Sequence, residues 1–270
     1  MTRAIKTYET VILESEGGIY RVIMNRPDRL NALSQSMCHD LLDAFSTIGG
    51  DSGAKVLVLS GAGRAFSAGG DMSALFLQMI EDRRAGKKPF DIQRWLADAS
   101  TALRELPIPT IAAIQGAAIG FGTTICLQCD LRIAADNAVL GLPFVKLGII
   151  PEFGCTYALS RIVGLARAFE LVYTGKNINA EEARQMGLVN MVFPTSELAS
   201  AAQSLAENIS EGAPIAVKLA KAALNAGVDN DMKKQLDVET EGMAVTLRSR
   251  DHEEAVRAFL AKRRPVFEGK

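Results

Sequence analysis

The chain has 270 residues, of which 48% are hydrophobic, 23% charged and 6% aromatic, a composition that excludes a disordered or collagen-like protein. Its length predicts one large domain or one domain with an appendage. Thirty lysines and arginines stand against 31 aspartates and glutamates, so the net charge of -1 gives no global field for nucleic acid or an anionic membrane, and we expect neither partner.

The cysteines and the first residues predict a cellular setting. Four cysteines are too few for a disulfide framework in a chain of this length. The opening sequence MTRAIKTYET lacks the apolar stretch of a secretory signal. We therefore expect a reducing, cytoplasmic setting.

The first predicted elements are two strands and a helix. Residues 9–15 and 18–24 alternate apolar and polar side chains, and the glycine pair between them is typical of a hairpin turn. Ser34 is placed to cap a helix whose apolar residues recur at helical spacing. Gly49-Gly50 is expected to end this helix.

Strands and helices then alternate along the chain. Residues 55–59 form a short apolar strand, followed by a glycine-rich loop over 60–70 and by Asp71 in the capping position of another helix. Further strands, each next to a helical pattern, are predicted at residues 110–114, 131–135 and 189–193. This alternation predicts an α/β fold.

One stretch is long enough to span a bilayer. Between Glu105 and Asp130 lie 24 uncharged residues. Pro107 and Pro109 open the stretch, and Gly116 separates a β-branched run from a run rich in glycine and threonine. A buried strand followed by a buried helix fits this pattern better than a membrane span.

Charge density divides the chain. Residues 106–165 carry six charged side chains, whereas residues 196–270 carry 23. We expect residues 1–195 to form the core and residues 196–270 to form an exposed helical region. Helices in this region are predicted to begin at Pro214, Asp231 and Asp251.

Several kinds of catalysis lack the residues that they need. Both histidines, His39 and His252, lie in charge-bearing amphipathic helices, where surface exposure is expected. No nucleophile elbow, Walker A or zinc-protease motif occurs. Cys126 and Cys129 have zinc-like spacing without a second ligand pair nearby, so two buried helix thiols are favoured over a redox or metal site. No metal site is predicted.

Two glycine-rich segments carry a family resemblance. They are GRAFSAGGDM at residues 63–72 and PTIAAIQGAAIGFGTT at residues 109–124, the second followed by Cys129-Asp130. Together they resemble the paired signatures of the enoyl-CoA hydratase/isomerase (crotonase) superfamily. The likeness continues in order at residues 25–33, 147–152, 180–190 and 258–267. It implies a crotonase-like spiral of ββα units with a C-terminal helical trimerisation region, assembled as a homotrimer or a dimer of trimers.

The resemblance implies an oxyanion hole formed by the backbone N–H groups of Ala68 and Phe121. A glycine-rich loop that runs into a helix presents unpaired N–H groups, and two such loops can direct donors at one thioester oxygen. The alternative is that both loops are only tight turns. Phe121 stands where the family usually has glycine, and its N–H remains available provided that the position does not need a positive φ.

The family's hydratases activate water with two glutamates, which by resemblance fall at positions 124 and 144. This chain has Thr124 and Phe144 there. Neither side chain can act as a carboxylate base. Ordinary hydration of a double bond is therefore the less favoured activity.

Glu152 offers another base. It is the only acidic residue between Asn137 and Phe169 and has apolar neighbours, where an unused charge is normally avoided. It resembles the single glutamate of the family's Δ3,Δ2-enoyl-CoA isomerases, which moves a proton from C2 to C4. The alternative is a loop glutamate that is exposed or paired with Arg161.

The remaining site residues follow from the resemblance. Asp71 is either a helix cap alone or a second reacting group. Arg29 and Arg64 fit CoA phosphates, with solvated surface charges as the alternative. The expected substrate-binding residues are Arg29, Leu30, Ala32, Arg64, Ala68, Gly70, Asp71, Met72, Thr124, Phe144 and, from the end of the chain, Phe259 and Lys262.

The expected function is that of a Δ3,Δ2-enoyl-CoA isomerase in the breakdown of fatty or related acyl-CoA, with Glu152 as proton shuttle. CoA enters as part of the substrate, and no separate cofactor is predicted. Two alternatives stay open. One is a hydratase or another enolate-forming acyl-CoA enzyme; the other is a non-catalytic member that binds acyl-CoA or RNA.

Overall fold

The computed structural model describes residues 3–270, with side chains from residue 5 onward. Its strands, in chain order, are β1 Arg3–Thr7, β2 Val11–Glu16, β3 Ile19–Met24, β4 Val56–Gly61, β5 Thr110–Ile114, β6 Ala117–Ile119, β7 Leu131–Ala135, β8 Val139–Gly141, β9 Asn177–Asn179 and β10 Met191–Phe193. Its α-helices are α1 Gln35–Gly49, α2 Gln78–Arg84, α3 Ile92–Arg104, α4 Phe121–Cys126, α5 Cys155–Val163, α6 Leu165–Thr174, α7 Ala180–Gln185, α8 Leu198–Ser210, α9 Pro214–Gly227, α10 Met232–Thr246 and α11 Arg250–Leu260. Shorter helical segments lie at Pro27–Arg29, Met72–Leu77 and Phe144–Leu147.

Seven strands form the main sheet, in the order β1-β2-β3-β4-β5-β7-β10. The first three strands are antiparallel, and the strands from β3 to β10 are parallel. The predicted hairpin is present: Glu16 pairs with Ile19 across Gly17 and Gly18, whose φ values are 60° and 86°. Glycine is needed at the second position, because a Cβ on Gly18 would lie 2.6 Å from the carbonyl oxygen of Gly53.

The main sheet is buried on both faces. On one face, α1 and α3 contribute buried side chains such as Leu41, Phe45 and Leu103 to the larger core. On the other face, the small residues Ala202 and Ala206 let α8 pack closely against the central strands. This arrangement explains why the central strands are continuous apolar runs.

A second sheet of three short strands has the order β6-β8-β9, and its strands alternate in the chain with the last strands of the main sheet. The sequence analysis missed these strands, because each is three residues long and carries no alternation of its own. The uncharged stretch contains β5, β6 and α4, so the predicted strand and helix are present with one additional strand between them. Within residues 3–270, no helix is both long and apolar enough to cross a membrane.

The C-terminal helices follow the predicted starts with one correction. Pro214 is the first residue of α9, and Asp231 caps α10 by accepting the N–H of Lys234. The third helix is capped by Ser249 and not by Asp251. Asp251 is buried, and its carboxylate accepts the N–H groups of Glu268 and Gly269, which fixes the end of the chain.

The division of the chain at residue 195 stays a prediction. The helix α8 packs on the main sheet with the core. In contrast, α9 and α10 have no buried side chain among the described residues. Lys221 ties α9 to the core, since its ammonium group lies 2.8 Å from the Asp130 carboxylate and donates to the Ile108 carbonyl.

Candidate active site

The two glycine-rich segments meet at one edge of the main sheet. The first segment follows β4 and the second contains β5; these strands are parallel neighbours, so their carboxyl ends lie side by side. The Ser67 N–H donates to the Ala117 carbonyl, and the Ile119 N–H donates to the Ser67 carbonyl, both at 2.9 Å. These two bonds hold the segments together.

Glycine allows the two segments to touch. Gly69 has a φ of 99°, and a Cβ there would lie 2.8 Å from the Ile119 carbonyl oxygen. Gly120 has a φ of 55°, and the position of its missing Cβ is 3.9 Å from the Gly69 Cα. A side chain at Gly69 would push the segments apart, whereas at Gly120 the positive φ is what favours glycine.

Two unpaired backbone donors result from this contact. Among residues 3–270, the N–H groups of Gly70 and Phe121 have no hydrogen-bond partner. Phe121 is the first residue of α4, where helical N–H groups are unpaired. Its φ is not positive, so the side chain does not prevent its N–H from serving as the sequence analysis expected.

The expected role of Ala68 is corrected. Its N–H donates to the Leu30 carbonyl at 2.9 Å and is therefore already used. Gly70, two residues further, supplies the free N–H and lines the same cavity as Phe121. The sequence analysis placed Gly70 only in the CoA site. In the sequence, Asp71 could have indicated this role, because the cap of a helix fixes the backbone of the residue immediately before it.

A cavity of about 670 Å³ lies against these donors. Of the predicted site residues, Ala68, Gly70, Met72, Phe121, Phe144 and Glu152 line it. Most of the remaining wall is apolar and comes from the segments around α2, α3 and the loop before α5, including Leu75, Phe76, Met79, Ile80, Leu96, Ile119, Ile149 and Ile150. The cavity thus has the size and apolar character of a small-molecule site.

Glu152 is the only carboxylate among the described residues that line this cavity. One oxygen, Oε1, accepts a hydrogen bond from the Thr124 hydroxyl at 2.8 Å. The other, Oε2, is buried without a hydrogen-bond partner. Burial raises the pKa of Glu152 to about 7, against the opposing effect of the Thr124 hydrogen bond.

The geometry rules out the alternative account of Glu152. Arg161 forms its ion pair with Asp229, at 3.1 Å, and not with Glu152. Nor is Glu152 exposed. A carboxylate that is buried, unpaired with any cation and set in a cavity wall is the arrangement expected of a general base.

An aromatic cluster supports the segment that carries Glu152. The ring centroids of Trp95 and Phe121 each lie within 6 Å of that of Phe153, at 5.9 and 5.5 Å. Phe153 has a left-handed backbone, with a φ of 56°, and its carbonyl accepts the side-chain N–H of Gln128 at 2.6 Å. Packing and hydrogen bonding therefore fix the residue next to Glu152.

The two positions that resemble the hydratase glutamates lie at the site. Thr124 is fully buried on α4 behind Glu152. Phe144 lines the cavity, and its ring approaches within 3.8 Å of the position of a Cβ at Gly120. Both positions are thus close to Glu152 or the donor loops, and neither supplies a carboxylate.

Asp71 is a structural residue. Its carboxylate accepts the N–H groups of Ser73 and Ala74 and forms an ion pair with Arg26 at 3.0 Å. Burial raises its pKa, but the hydrogen bonds from Ala74, Arg26 and Ser73 outweigh burial and leave the pKa below its ordinary value. All of its acceptor capacity is used for capping and pairing, which favours the cap over a second reacting group.

The expected CoA residues divide into two groups. Arg29 and Arg64 are exposed, on two loops that the Asn31 amide joins by donating to the Ala62 and Ala65 carbonyls. Leu30 and Ala32 lie on the first of these loops and accept from the Ala68 N–H and the Arg26 guanidinium. The role of this group in CoA binding stays a prediction.

Phe259 and Lys262 lie apart from the cavity. Phe259 is 83% exposed on α11, and neither residue belongs to the lining. The fold of one chain therefore does not bring them to the site.

The other candidate chemistry is not supported. His39 and His252 are exposed, as predicted. Cys126 and Cys129 are buried thiols whose S–H groups donate to the Gly122 and Ile125 carbonyls, and burial raises the pKa of both. No group of three or more potential metal ligands occurs within residues 3–270.

The fold and the site define an α/β protein with one carboxylate and two free N–H donors around an apolar cavity. A family model described as enoyl-CoA hydratase/isomerase matches residues 14–270. The chain is 40% identical to the short-chain-enoyl-CoA hydratase of Clostridium acetobutylicum, covering 94% of this chain and 95% of that protein. It is 37% identical to an enoyl-CoA isomerase/hydratase of Mycosarcoma maydis, covering 94% and 93%.

A solved structure agrees with these relatives. The crystal structure of an enoyl-CoA hydratase from Bacillus anthracis matches with a TM-score of 0.89 at 34% identity, over 97% of this chain and 100% of that one. The chain belongs to the enoyl-CoA hydratase/isomerase family and has the crotonase fold. It is accordingly an acyl-CoA enzyme of this family.

The raised pKa of Glu152 predicts a pH-dependent effect on stability. Because the folded-state pKa of about 7 exceeds the ordinary 4.5, the stability associated with the protonated form is present below pH 4.5 and lost as the pH rises through 7. The loss is at most roughly 3 kcal/mol. Glu152→Gln removes the charge and should raise the free energy of unfolding relative to wild type at about pH 8.5, and much less at about pH 4.5. Urea unfolding measures both; a difference independent of pH would contradict this account.

Proposed function

We propose that this enzyme is a Δ3,Δ2-enoyl-CoA isomerase that moves a double bond with one carboxylate. The observation that carries the proposal is Glu152, the single carboxylate of the described cavity lining, buried and with one oxygen free of partners. Isomerisation needs one group that removes and returns a proton, whereas the family's hydration pattern needs two carboxylates. The cavity composition supports the first reaction.

The reaction begins at C2 of a 3-enoyl thioester. Glu152 removes a C2 proton, and the electron pair of that C–H bond moves into the thioester carbonyl to give a dienolate. The N–H groups of Gly70 and Phe121 are the donors available for the negative oxygen, which they stabilise most as charge develops. Protonated Glu152 then delivers the proton to C4, and the double bond forms between C2 and C3.

The pKa of Glu152 suits both directions of proton transfer. A carboxylate with a pKa of about 7 is a stronger base than an ordinary glutamate and, once protonated, still an effective acid near neutral pH. The apolar wall raises this pKa and also excludes water from the dienolate. The burial of Glu152 in the apolar wall thus favours proton removal and also protects the dienolate from water.

Hydratase activity is the second candidate, and the names of the relatives favour it. Both relatives named above carry hydratase in their names, and the second also carries isomerase. Thr124 and Phe144 argue against it here, since neither activates water. A non-catalytic role in binding acyl-CoA or RNA accounts less well for the chain, because its net charge is -1 and it keeps a buried carboxylate in the cavity.

Assembly and CoA binding complete the proposal. The C-terminal helices expose large apolar side chains, of which Phe259 is 83% and Leu260 75% exposed, and such faces call for a partner surface. We propose a homotrimer or a dimer of trimers, with Arg29 and Arg64 near the CoA phosphates. An intracellular, cytoplasmic setting and the use of CoA without a further cofactor belong to the same proposal.

The role of Glu152 predicts both a loss of rate and a pH profile. Glu152→Gln should lower kcat for conversion of a 3-enoyl-CoA on the order of 10²-fold or more, because proton transfer is lost while binding contacts remain. In the wild type, kcat/KM should rise with pH through about 7, since the base acts in its deprotonated form. Glu197→Gln, a change in an exposed glutamate, is the control. Undiminished turnover in Glu152→Gln would remove this residue from the mechanism.

The choice between isomerase and hydratase predicts a ratio of rates. Water addition to a 2-enoyl-CoA should be much slower than double-bond migration in a 3-enoyl-CoA of equal length. Thr124→Glu with Phe144→Glu should raise hydration, while Thr124→Gln with Phe144→Gln should not, because only the first pair restores carboxylates. The acidic pair is expected to destabilise the fold by several kcal/mol. Wild-type hydration as fast as migration would establish the hydratase alternative.

The exposed apolar faces predict an oligomer. Sedimentation velocity at micromolar concentration should show a trimer or hexamer, and Phe259→Glu with Leu260→Glu should shift it toward smaller species, since both charges would enter the contact. Lys87→Glu, which changes the charge by the same amount at an exposed position outside the C-terminal helices, is the control. A stable wild-type monomer would contradict the proposed assembly.

A further inference from the structure

Thr124 holds a position that the reaction described above does not by itself explain. Its side chain is fully buried on α4, and its hydroxyl lies 2.8 Å from Glu152 Oε1 and 3.2 Å from the Phe121 carbonyl oxygen. A hydroxyl has one proton to donate. The shorter distance and the greater negative charge both favour the carboxylate as its acceptor.

The surroundings of Glu152 make the hydrogen bond from Thr124 important for the orientation of the carboxylate. The titratable groups that interact electrostatically with Glu152 are the thiols of Cys38 on α1 and Cys155 on α5, both buried. Burial raises the pKa of each thiol above its ordinary value, so both stay neutral near pH 7. No cation pairs with Glu152 in the described chain. Thr124 is therefore the polar contact that orients this carboxylate.

We propose that Thr124 is a positioning residue that holds the Glu152 carboxylate in one orientation in the cavity wall by donating a hydrogen bond to Oε1. The proposal rests on the isomerase function proposed above. A carboxylate rotates about its terminal bond and presents either oxygen unless one is held. Oε2 is buried without a hydrogen-bond partner, so Thr124 supplies the one hydrogen bond that the described residues give this carboxylate.

The same hydrogen bond serves both halves of the reaction. When Glu152 is protonated, Oε1 still has a lone pair and still accepts from Thr124. The side chain then needs no reorientation between removing the C2 proton and delivering it to C4. A preorganised group of this kind lowers the barrier by avoiding reorganisation at the moment of reaction.

A pair of substitutions separates the hydroxyl from the rest of the side chain. Thr124→Val keeps the shape and removes the hydroxyl; Thr124→Ser keeps the hydroxyl. We expect Thr124→Val to lower kcat for 3-enoyl-CoA by about 10- to 100-fold with KM changed less than about threefold, and Thr124→Ser to recover most of the loss. Thr101→Val removes an exposed helical hydroxyl bonded to the Ala97 carbonyl and is the control.

A direct titration of the Glu152 carboxyl group tests the positioning role of Thr124 independently of the proposed function. The ¹³C carboxyl resonance of Glu152, assigned with Glu152→Gln, should titrate at higher pH in Thr124→Val than in wild type, because the lost hydrogen bond favoured the charged form. That shift is expected whichever reaction the enzyme catalyses. An unmoved titration, or Thr124→Ser as impaired as Thr124→Val, would overturn the proposal; a shifted titration in an enzyme without isomerase activity would overturn only the isomerase assignment.

Discussion

The contact between Gly69 and Gly120 is the constraint on which the site depends. It joins two loops that are about fifty residues apart in the chain; a Cβ at Gly69 would clash with the Ile119 carbonyl oxygen, and both glycines have a positive φ that a side chain would strain. The parallel pairing of β4 and β5 brings the loops near each other, and the bonds between Ser67 and the second loop fix their register. The unpaired N–H groups of Gly70 and Phe121 reach one cavity as a consequence.

Burial of Glu152 works against stability, and the surrounding structure compensates. Its charged form loses hydration in the apolar wall, which is why its pKa rises to about 7. The next residue, Phe153, adopts a left-handed backbone that costs a bulky side chain of order 1 kcal/mol. Aromatic packing and the Gln128 hydrogen bond hold that conformation. The protein thus maintains an unfavourable local arrangement at the position where a raised pKa is useful.

Elements that have a local sequence pattern could be predicted from the sequence, whereas features that depend on contacts between distant residues could not. The hairpin, the capping roles of Ser34 and Asp71 and the strand after Pro109 each have a local signal, and all are present. The short strands β6, β8 and β9 form through pairing with one another, so no residue pattern announced them. Ala68 was wrong as a donor for the same reason, because only the fold shows that Leu30 already accepts its N–H. The Thr124 bond to Glu152 likewise joins positions 28 residues apart.

The departures from the family pattern in this cavity belong to one packing arrangement. Phe121 stands where glycine is usual, yet it keeps the N–H donor because its backbone is an ordinary helical start. Its ring packs edge-on against Phe153, so the residue with the free N–H group also supports the segment that carries Glu152. Glycine at 121 would leave a void beside Phe153, and a void of ring size in a core costs about 3–5 kcal/mol. The aromatic ring at position 121 therefore supports the segment that carries Glu152, the single carboxylate among the described residues of the cavity lining.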